Sequence, residues 1–151
     1  AAEFQFRAEE QQRLIHEMGL GVKFQLGTYE PERFFALAKG HEAEPEGGER
    51  CFQCYRLRLE ETAKAAKAGG FSYFTTTLSI SPHKNAQVLN ELGKEISDAF
   101  GVPYLYSDFK KKNGYRRSCE LSTEYHLYRQ DYCGCPFSKA EAEERKRRAQ
   151  A

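Results

Sequence analysis

The chain has 151 residues, of which 40% are hydrophobic and 30% are charged, and its formal net charge is +1. This size and apolar content predict one domain over residues 1–151, while no apolar run approaches the roughly 20 residues that a bilayer span needs. The charged N-terminal segment lacks an apolar signal core, so we expect a cytoplasmic protein with no membrane partner, in a reducing compartment where paired cysteines serve metals or redox chemistry.

The first half of the chain alternates between helical and extended patterns. Apolar residues at helical spacing predict a first helix that stops at Gly19, and "VKFQL" at 22–26 predicts a short strand. "PERFFALAKG" predicts a second helix with Pro31 in its first turn. A polar loop, "HEAEPEGGER", then leads to a third helix. The residues that share the inward face of this helix are Cys51, Tyr55, Leu59, Thr62, Ala63 and Ala66.

The second half continues the alternation. "FSYFTTT" at 71–77 predicts a buried strand, and "SISP" predicts a helix capped by Ser81 with Pro82 at its first position. "VPYLY" at 102–106 predicts another strand. Because strands separated by helices form βαβ units, the sequence predicts an α/β fold with a three-layer parallel sheet and helices on both faces. The charged segment 139–151 lacks an apolar stripe and predicts a solvated helix or tail.

Cys51 and Cys54 are three residues apart at a predicted helix start, which puts both sulfurs on one side of the first turn. Unpaired backbone N–H groups there, with Arg50, stabilise the thiolate that binds metal. Zinc and iron–sulfur centres usually need four ligands, so the others come from Cys133 and Cys135 or from a segment outside the chain. Two small buried residues at a helix start are an alternative. A thioredoxin-like dithiol is another, although that motif normally follows a strand.

Cys133 and Cys135 flank one glycine. Gly134 gives the backbone freedom to bring the two Cα atoms within the roughly 4.4 to 6.8 Å that a disulfide requires. A disulfide between the two cysteines would close a very small ring and would be strained. Because strain makes a disulfide easy to reduce, the pair suits redox cycling. The alternatives are two ligands for the metal of the first pair, or chance adjacency. Cys119 has no other cysteine near it in the sequence, so we expect it to be an inert thiol in the core.

The charges are clustered although the net charge is small. "KKKNGYRR" at 110–117 holds five cations in eight residues, and "ERKRR" at 144–148 holds four in five. One such run is usually a solvated surface, but two runs around a cysteine pair favour a polyanionic partner. The loop "TTTLSISPHK" lies between a predicted strand and helix. Its hydroxyls and Lys84 fit either a phosphate site or ordinary helix capping, and His83 could donate a proton.

Three blocks identify a family likeness: "EPEGGERCFQCYRLRLEETAKAA", "FTTTLSISPHKN" and "GYRRSCELSTEYHLYRQDYCGCPFSK". Together they resemble the QueH-type epoxyqueuosine reductases from the first helix to about Lys139. The resemblance implies an oxidoreductase that reduces epoxyqueuosine to queuosine at the wobble position of tRNA. It implies that Cys51 and Cys54 are two of the four ligands of a 4Fe-4S cluster, and that Cys133 and Cys135 are a redox-active pair.

The resemblance also implies a Rossmann-like, HUP-like sheet, whose first strand this sequence lacks. Family members begin with a strand that ends in two adjacent cysteines, which complete the cluster. We expect an excerpt rather than a truncated form that cannot hold a full cluster, because loss of the first strand would open the middle of the sheet. Cys119 stands where relatives carry an apolar residue.

The expected partners are a tRNA with epoxyqueuosine in its anticodon and an unidentified electron donor, and the expected cofactors are the cluster and an additional iron. Tyr128 and Arg129 are candidates to grip anticodon phosphates, and Tyr115 and Tyr132 are candidates to stack on the wobble base. The main alternative is a zinc-stapled RNA-binding module without catalysis. A PP-loop-like nucleotide enzyme is disfavoured because the S-G-G-x-D-S motif is absent from this sequence.

Overall fold

The computed structural model describes residues 1–150. Within this range no helix is both long enough and apolar enough to cross a membrane. The backbone packs as two compact units, one made of residues 1–30 with the residues from Cys119 onward, and the other of residues 31–118. The helices in chain order are α1 (Ala2–Glu17), α2 (Pro31–Ala38), α3 (Glu49–Ala68), a 3-10 turn (Leu78–Ile80), α4 (Ala86–Phe100), α5 (Gly114–Glu124) and α6 (Pro136–Gln150).

The prediction of a three-layer parallel sheet is wrong. The described residues 1–150 contain no β-strand beyond one isolated bridge, which is parallel and joins Phe74 to Tyr104. The N–H of Phe74 donates to the carbonyl of Pro103 at 3.0 Å, and the N–H of Leu105 donates to the carbonyl of Phe74 at 2.9 Å. The two predicted strands around this bridge therefore run in parallel, but they pair at a single residue.

The reason lies in what a strand needs beyond its own residues. An extended segment becomes a strand only where a neighbour satisfies its backbone N–H and C=O groups. Residues 22–26 have the side-chain pattern of a strand, yet they are mostly exposed and belong to no strand or bridge. A buried parallel sheet is also covered on both faces, whereas Phe71, Tyr73 and Tyr106 beside the bridge are exposed. The local pattern predicted extended backbone but not its partners.

The unit of residues 31–118 has a core built by α3 and α4, which pack against each other. Tyr55 and Leu59 of α3 and Leu89 of α4 are almost fully buried there, together with the residues of the bridge. Residues four apart lie on one helix face, so the predicted stripe of α3 is largely confirmed, although Thr62 is exposed. Each buried leucine side chain stabilises the fold by about 1.5 to 3 kcal/mol.

Helix α4 begins later than the sequence predicted. Ser81 and Pro82 were expected to open it, but it begins at Ala86 and is capped by Asn85. The side-chain oxygen of Asn85 accepts two N–H groups of the first turn, at 3.0 and 3.2 Å. The preceding residues form a separate turn in which the N–H of Lys84 donates to the Ser81 carbonyl at 3.2 Å. This turn uses the residues that the prediction had assigned to the helix.

The unit that contains α1 and α6 relies on polar contacts from α1, which has no buried residue. The guanidinium of Arg13 donates to the carbonyl of Tyr125 at 3.1 Å, and the carboxylate of Glu10 accepts the N–H of Tyr128 at 3.0 Å. Arg7, on the same helix, donates to carbonyls closer to α6. Charged side chains three or four residues apart on α1 therefore hold the backbone that precedes α6.

Candidate functional site

The first cysteine pair, Cys51 and Cys54, lies in the first two turns of α3. Cys51 is 7% exposed, Cys54 is half-buried, and both are free thiols. The N–H of Gly47, in the loop before the helix, donates to Sγ of Cys51 at 3.3 Å. Hydrogen bonds from backbone N–H groups to sulfur are a feature of iron–sulfur sites, where they tune the reduction potential. The donor set at this helix start therefore fits a thiolate-ligated metal group.

A buried arginine fixes the loop that leads into α3. Nη1 of Arg50 donates to three loop carbonyls, those of His41, Glu42 and Glu44, at 3.1, 3.0 and 2.6 Å. The carboxylate of Glu44 accepts the backbone N–H of Arg50 at 2.8 Å and pairs with Nδ1 of His41 at 2.5 Å. These two contacts lower the pKa of Glu44, and the carboxylate raises the pKa of His41. Arg50 thus orders the loop that carries the Gly47 N–H.

Lys84 is also buried in this unit. Its side chain is 8% exposed, its ammonium pairs with the Glu46 carboxylate at 2.6 Å, and it lies over the ring of Tyr55 at 5.8 Å. Burial raises the pKa of Tyr55 to about 12, which the nearby lysine partly opposes. The hypothesis of a phosphate site in this loop relied on Lys84, but Glu46 already engages its charge. This ion pair instead links the loop before α4 to the loop before α3.

The second cysteine pair lies in the turn that enters α6. The two sulfurs, Sγ of Cys133 and Sγ of Cys135, are 3.6 Å apart, and both cysteines are half-buried free thiols. Gly134 between them has a φ of +113°, which a residue with a side chain rarely adopts. The backbone geometry at this glycine therefore turns two near-adjacent thiols toward each other. The sulfurs are close enough to form a disulfide after a small movement.

Ser138 contacts both members of this pair. Its backbone N–H donates to Sγ of Cys135 at 3.3 Å, and its side-chain oxygen accepts the N–H of Cys133 at 3.2 Å. Ser138 is 1% exposed, so water does not compete for these bonds. Arg7 holds the same turn, because its guanidinium donates to the carbonyls of Cys133 and Tyr132 at 3.1 and 3.2 Å. The turn is therefore fixed from two sides.

Ser138 and Arg7 were not among the site residues predicted from the sequence. A partial signal for Ser138 was present, because Pro136 is typical of the first position of a helix and places Ser138 in the first turn, next to the cysteine pair. No local signal identifies Arg7, which is 126 positions away from Cys133 along the chain. Only the folded chain brings the arginine to this turn.

The basic runs are partly neutralised by neighbouring carboxylates. Lys110 pairs with Asp108 at 2.8 Å and thereby lowers the pKa of that carboxyl group. In the second run Arg148 pairs with Glu144 at 2.8 Å. The second pair is exposed and contributes only about 0 to 1 kcal/mol, so a phosphate can replace that carboxylate at little cost, whereas Lys110 and Asp108 are half-buried. The runs are compatible with a polyanionic partner.

The tyrosines named as stacking or gripping candidates differ in access. Tyr115 and Tyr128 are 40% and 41% exposed. Tyr128 packs edge-on against Phe6, with ring centroids 5.0 Å apart. The guanidinium of Arg7 lies 5.2 Å from the centroid of Tyr132 and covers one face of that ring. Tyr115 and Tyr128 therefore offer more aromatic surface to a base than Tyr132 does.

The position of Cys119 and the number of possible metal ligands remain to be described. Cys119 lies in α5 and is partly exposed, so the prediction of a core thiol is wrong. Among residues 1–150, no three histidine, cysteine, aspartate or glutamate side chains are grouped so that they could hold a metal ion. The described residues thus provide two cysteine thiols near the start of α3 and not a complete four-ligand site.

Comparison with known proteins gives one consistent match. The family model described as epoxyqueuosine reductase QueH matches residues 1–141. A curated protein named epoxyqueuosine reductase QueH from Staphylococcus epidermidis is 44% identical, over 91% of this chain and 60% of that protein. Its namesake from Streptococcus pyogenes is 44% identical, over 90% of this chain and 55% of that protein. The protein of the same name from Thermotoga maritima is 34% identical, over 95% of this chain and 76% of that protein. The chain spans less than two thirds of the first two relatives.

Proposed function

This chain belongs to the epoxyqueuosine reductase QueH family, and we propose that it reduces the epoxide of epoxyqueuosine to queuosine at the wobble position of tRNA. The match over residues 1–141 supports this activity. A tRNA substrate also assigns the reaction to the cytoplasm. The reaction consumes two electrons and two protons and removes the epoxide oxygen as water, so the enzyme needs a two-electron donor and an acid.

Cys133 and Cys135 are the proposed two-electron donor. A dithiol that becomes a disulfide releases two electrons and two protons, which matches what the epoxide consumes. The observation that carries this assignment is the 3.6 Å separation of the two sulfurs in a turn held by Ser138 and Arg7. Because the thiols already face each other, the disulfide forms without reorganisation of the chain.

Cys51 and Cys54 are the proposed ligands of the metal group. Two cysteine sulfurs at a helix start, one of them accepting a backbone N–H, fit half of the ligand set of a 4Fe-4S cluster. When bound, such a cluster would transfer single electrons and act as a Lewis acid. We propose an additional iron as a second cofactor. The chain's own contribution is the loop fixed by Arg50, which sets the N–H of Gly47 against Sγ of Cys51.

The tRNA contacts are assigned to exposed cations and aromatic rings. Lys111 of the first basic run and Arg147 of the second are 77% and 75% exposed. Tyr115 and Tyr128 provide exposed rings for a splayed base. Arg129 is a further candidate for the anticodon phosphates. Charge-dominated binding of this kind weakens steeply as the salt concentration rises.

The test uses the full-length protein that contains this chain, purified without oxygen. It is mixed with tRNA that carries epoxyqueuosine and with dithionite as the reductant, and the nucleosides are analysed by mass spectrometry. We expect conversion to queuosine, bound iron, and broad absorbance near about 400 nm from iron–sulfur charge transfer. A colourless protein that carries zinc and binds tRNA without converting it would instead establish the RNA-binding module.

A further inference from the structure

An open cavity lies between α4 and the chain that follows the parallel bridge. Its volume is about 400 Å³. Tyr106 lines it just beyond the bridge residue Tyr104, and Gln87 and Asn90 line it from the first turns of α4. Ligands of parallel strands bind outside the carboxyl ends of those strands, and small-molecule sites have volumes of this order. The cavity therefore has the position and the size of a ligand site.

The walls of this cavity are fixed. The side chain of Asn90 accepts the N–H of Ser107 and donates to its carbonyl, both at 3.1 Å. The ring of Tyr104 packs on Gly93 of α4, where an added Cβ would lie 2.4 Å from the ring. The ring of Tyr106 stands edge-on against that of Tyr104, with centroids 5.6 Å apart. Tyr106 is nevertheless 59% exposed, so it offers an aromatic surface in a fixed place.

The charges that line the cavity are mixed. Lys94 and Lys111 contribute ammonium groups, and Glu91 and Asp108 contribute carboxylates. Because these charges cancel, a small free anion gains little here. A nucleotide suits the mixture, since its phosphate contacts ammonium groups, amino groups on its base donate to carboxylates, and its ring stacks on a tyrosine. Both lysines are mostly exposed, which keeps their present ion pairs weak.

We propose that this cavity binds one unstacked nucleotide of the tRNA substrate, with the base on Tyr106 and the phosphate at Lys94 and Lys111. The inference rests on the proposed function, which supplies the RNA. Among residues 1–150, no cysteine lines the cavity, so this nucleotide is not the one that is reduced. The site is therefore a contact in addition to the wobble base.

Two observations favour a nucleotide within RNA over a free one. The exposed side chains of Tyr106, Lys94 and Lys111 leave the cavity open to solvent, so that an RNA strand can enter and leave it. Lys111 also belongs to the basic run at 110–117. Phosphates bound along that run would continue into the cavity.

The first experiment measures the Kd of the full-length protein that contains this chain for tRNA carrying epoxyqueuosine, without reductant. Tyr106→Ala removes the stacking surface and should raise the Kd about 5- to 100-fold, whereas Tyr106→Phe should keep the wild-type value. The matched control is Tyr73→Ala, because Tyr73 is 61% exposed and does not line the cavity. A wild-type Kd for Tyr106→Ala overturns the inference, as does an equal loss in the control.

The same experiment separates this inference from the proposed function. If Tyr106→Ala binds as wild type does while wild type converts the tRNA, only the inference fails. If wild type neither binds nor converts the tRNA, both fail. Should Tyr106→Ala not fold, Tyr106→Leu, which keeps an apolar contact with Tyr104, takes its place.

The second experiment locates the contact in the wild-type protein. Ultraviolet light joins a stacked base to a tyrosine, and trypsin places Tyr106 on peptide 95–110 and Tyr73 on peptide 68–84. We expect mass spectrometry to find RNA on 95–110 and not on 68–84. A map with no RNA on 95–110 contradicts the inference.

The third experiment tests the phosphate and the source of the nucleotide. Lys94→Gln should lower the salt dependence of binding by about one phosphate contact. Lys64→Gln is the matched control, because Lys64 pairs with Glu61 at 2.9 Å much as Lys94 pairs with Asp98 at 2.7 Å, but it lies on α3. An equal change in both variants contradicts the phosphate contact. Free nucleoside monophosphates should not displace the tRNA. Displacement that Tyr106→Ala abolishes would identify a site for a free nucleotide and overturn the assignment to tRNA.

Discussion

The two cysteine pairs of this chain both lie at helix starts, and in each pair one sulfur accepts a backbone N–H at 3.3 Å. They differ in the backbone between the cysteines. Cys51 and Cys54 are separated by helical residues, whereas Cys133 and Cys135 are separated by a glycine with a φ of +113°. Helical spacing presents two sulfurs side by side to a third group. The turn presents them to each other.

The loops around the pairs differ as well. The loop before Cys51 is held by a buried arginine that donates to three carbonyls, so this end of α3 is rigid. The turn around Cys133 is held by two hydrogen bonds from Arg7 and two hydrogen bonds with Ser138, and both of its cysteines are half-buried. A metal site benefits from ligands on a fixed backbone, whereas a pair that alternates between dithiol and disulfide benefits from a turn that holds the two sulfurs toward each other. This difference supports the proposal that Cys51 and Cys54 bind the metal group and that Cys133 and Cys135 transfer electrons.

The largest expected effect is the loss of turnover when the proposed redox pair is broken. Cys133→Ser leaves Cys135 without a partner, so no internal disulfide can form and turnover should fall at least about 100-fold. Iron content should stay unchanged, because the proposed ligands are Cys51 and Cys54. Cys119→Ser, the matched control, should retain activity. Full turnover by Cys133→Ser in the anaerobic tRNA assay would show that the electrons follow another route.

The converse change removes a proposed ligand. Cys54→Ser replaces a soft thiolate by a hydroxyl, so bound iron should fall more than about tenfold and the absorbance near about 400 nm should disappear. The disulfide equilibrium of Cys133 and Cys135 in glutathione buffers should be unaffected. Elemental analysis and thiol titration of the same sample check both statements. Normal iron content in this variant contradicts ligation by α3.

Arg50→Met tests the rigidity of the first region. The change removes the buried guanidinium that donates to the carbonyls of His41, Glu42 and Glu44. The free energy of unfolding should therefore fall by about 3 kcal/mol. The control is Arg56→Met, whose exposed ion pair with Glu95 should contribute no more than about 1 kcal/mol. Urea denaturation measures both. Equal losses for the two variants would show that the loop is not held in this way.

Gly93→Ala perturbs the packing of α4. A Cβ at this position would lie 2.4 Å from the ring of Tyr104, so the helix or the ring must move at a cost of about 1 to 3 kcal/mol. Gly21→Ala is the control, because nothing lies within 4 Å of its added carbon. Thermal melting of both proteins compares them. An unchanged melting curve for Gly93→Ala would mean that the ring of Tyr104 moves aside at little cost.

The smallest effect is the pH dependence of the loop before α3. The pKa of His41 is raised by Glu44, so its contribution to stability is complete below the ordinary histidine pKa of 6.5 and is lost as the pH rises through the raised value. Glu44, whose pKa is lowered, stays ionised over this range. The melting temperature of wild type should therefore exceed that of His41→Gln at about pH 5.5, and the difference should shrink by about pH 9. A constant difference contradicts the ion pair.

Several features could be predicted from the sequence because they depend on near neighbours. The stripe of Tyr55 and Leu59 on α3 follows from helical periodicity, and the turn at Gly134 follows from the freedom of glycine. The lack of a sheet in residues 1–150 could not be predicted, since residues 22–26 have the side-chain pattern of a strand but no partner strand. The start of α4 was misplaced because Asn85 competes with Ser81 for the cap.

The sequence by itself determined the spacing within each cysteine pair and the motifs of the family, because spacing along a chain sets which thiols can share a helix face or a turn. Only the tertiary structure decided which N–H groups and guanidinium groups reach those thiols. Arg7 contacts the turn at Cys133 from 126 positions away, and Lys84 meets Glu46 from 38 positions away. Hydrogen bonds and ion pairs act over a few ångströms in space, and no local pattern records which distant residues come that close.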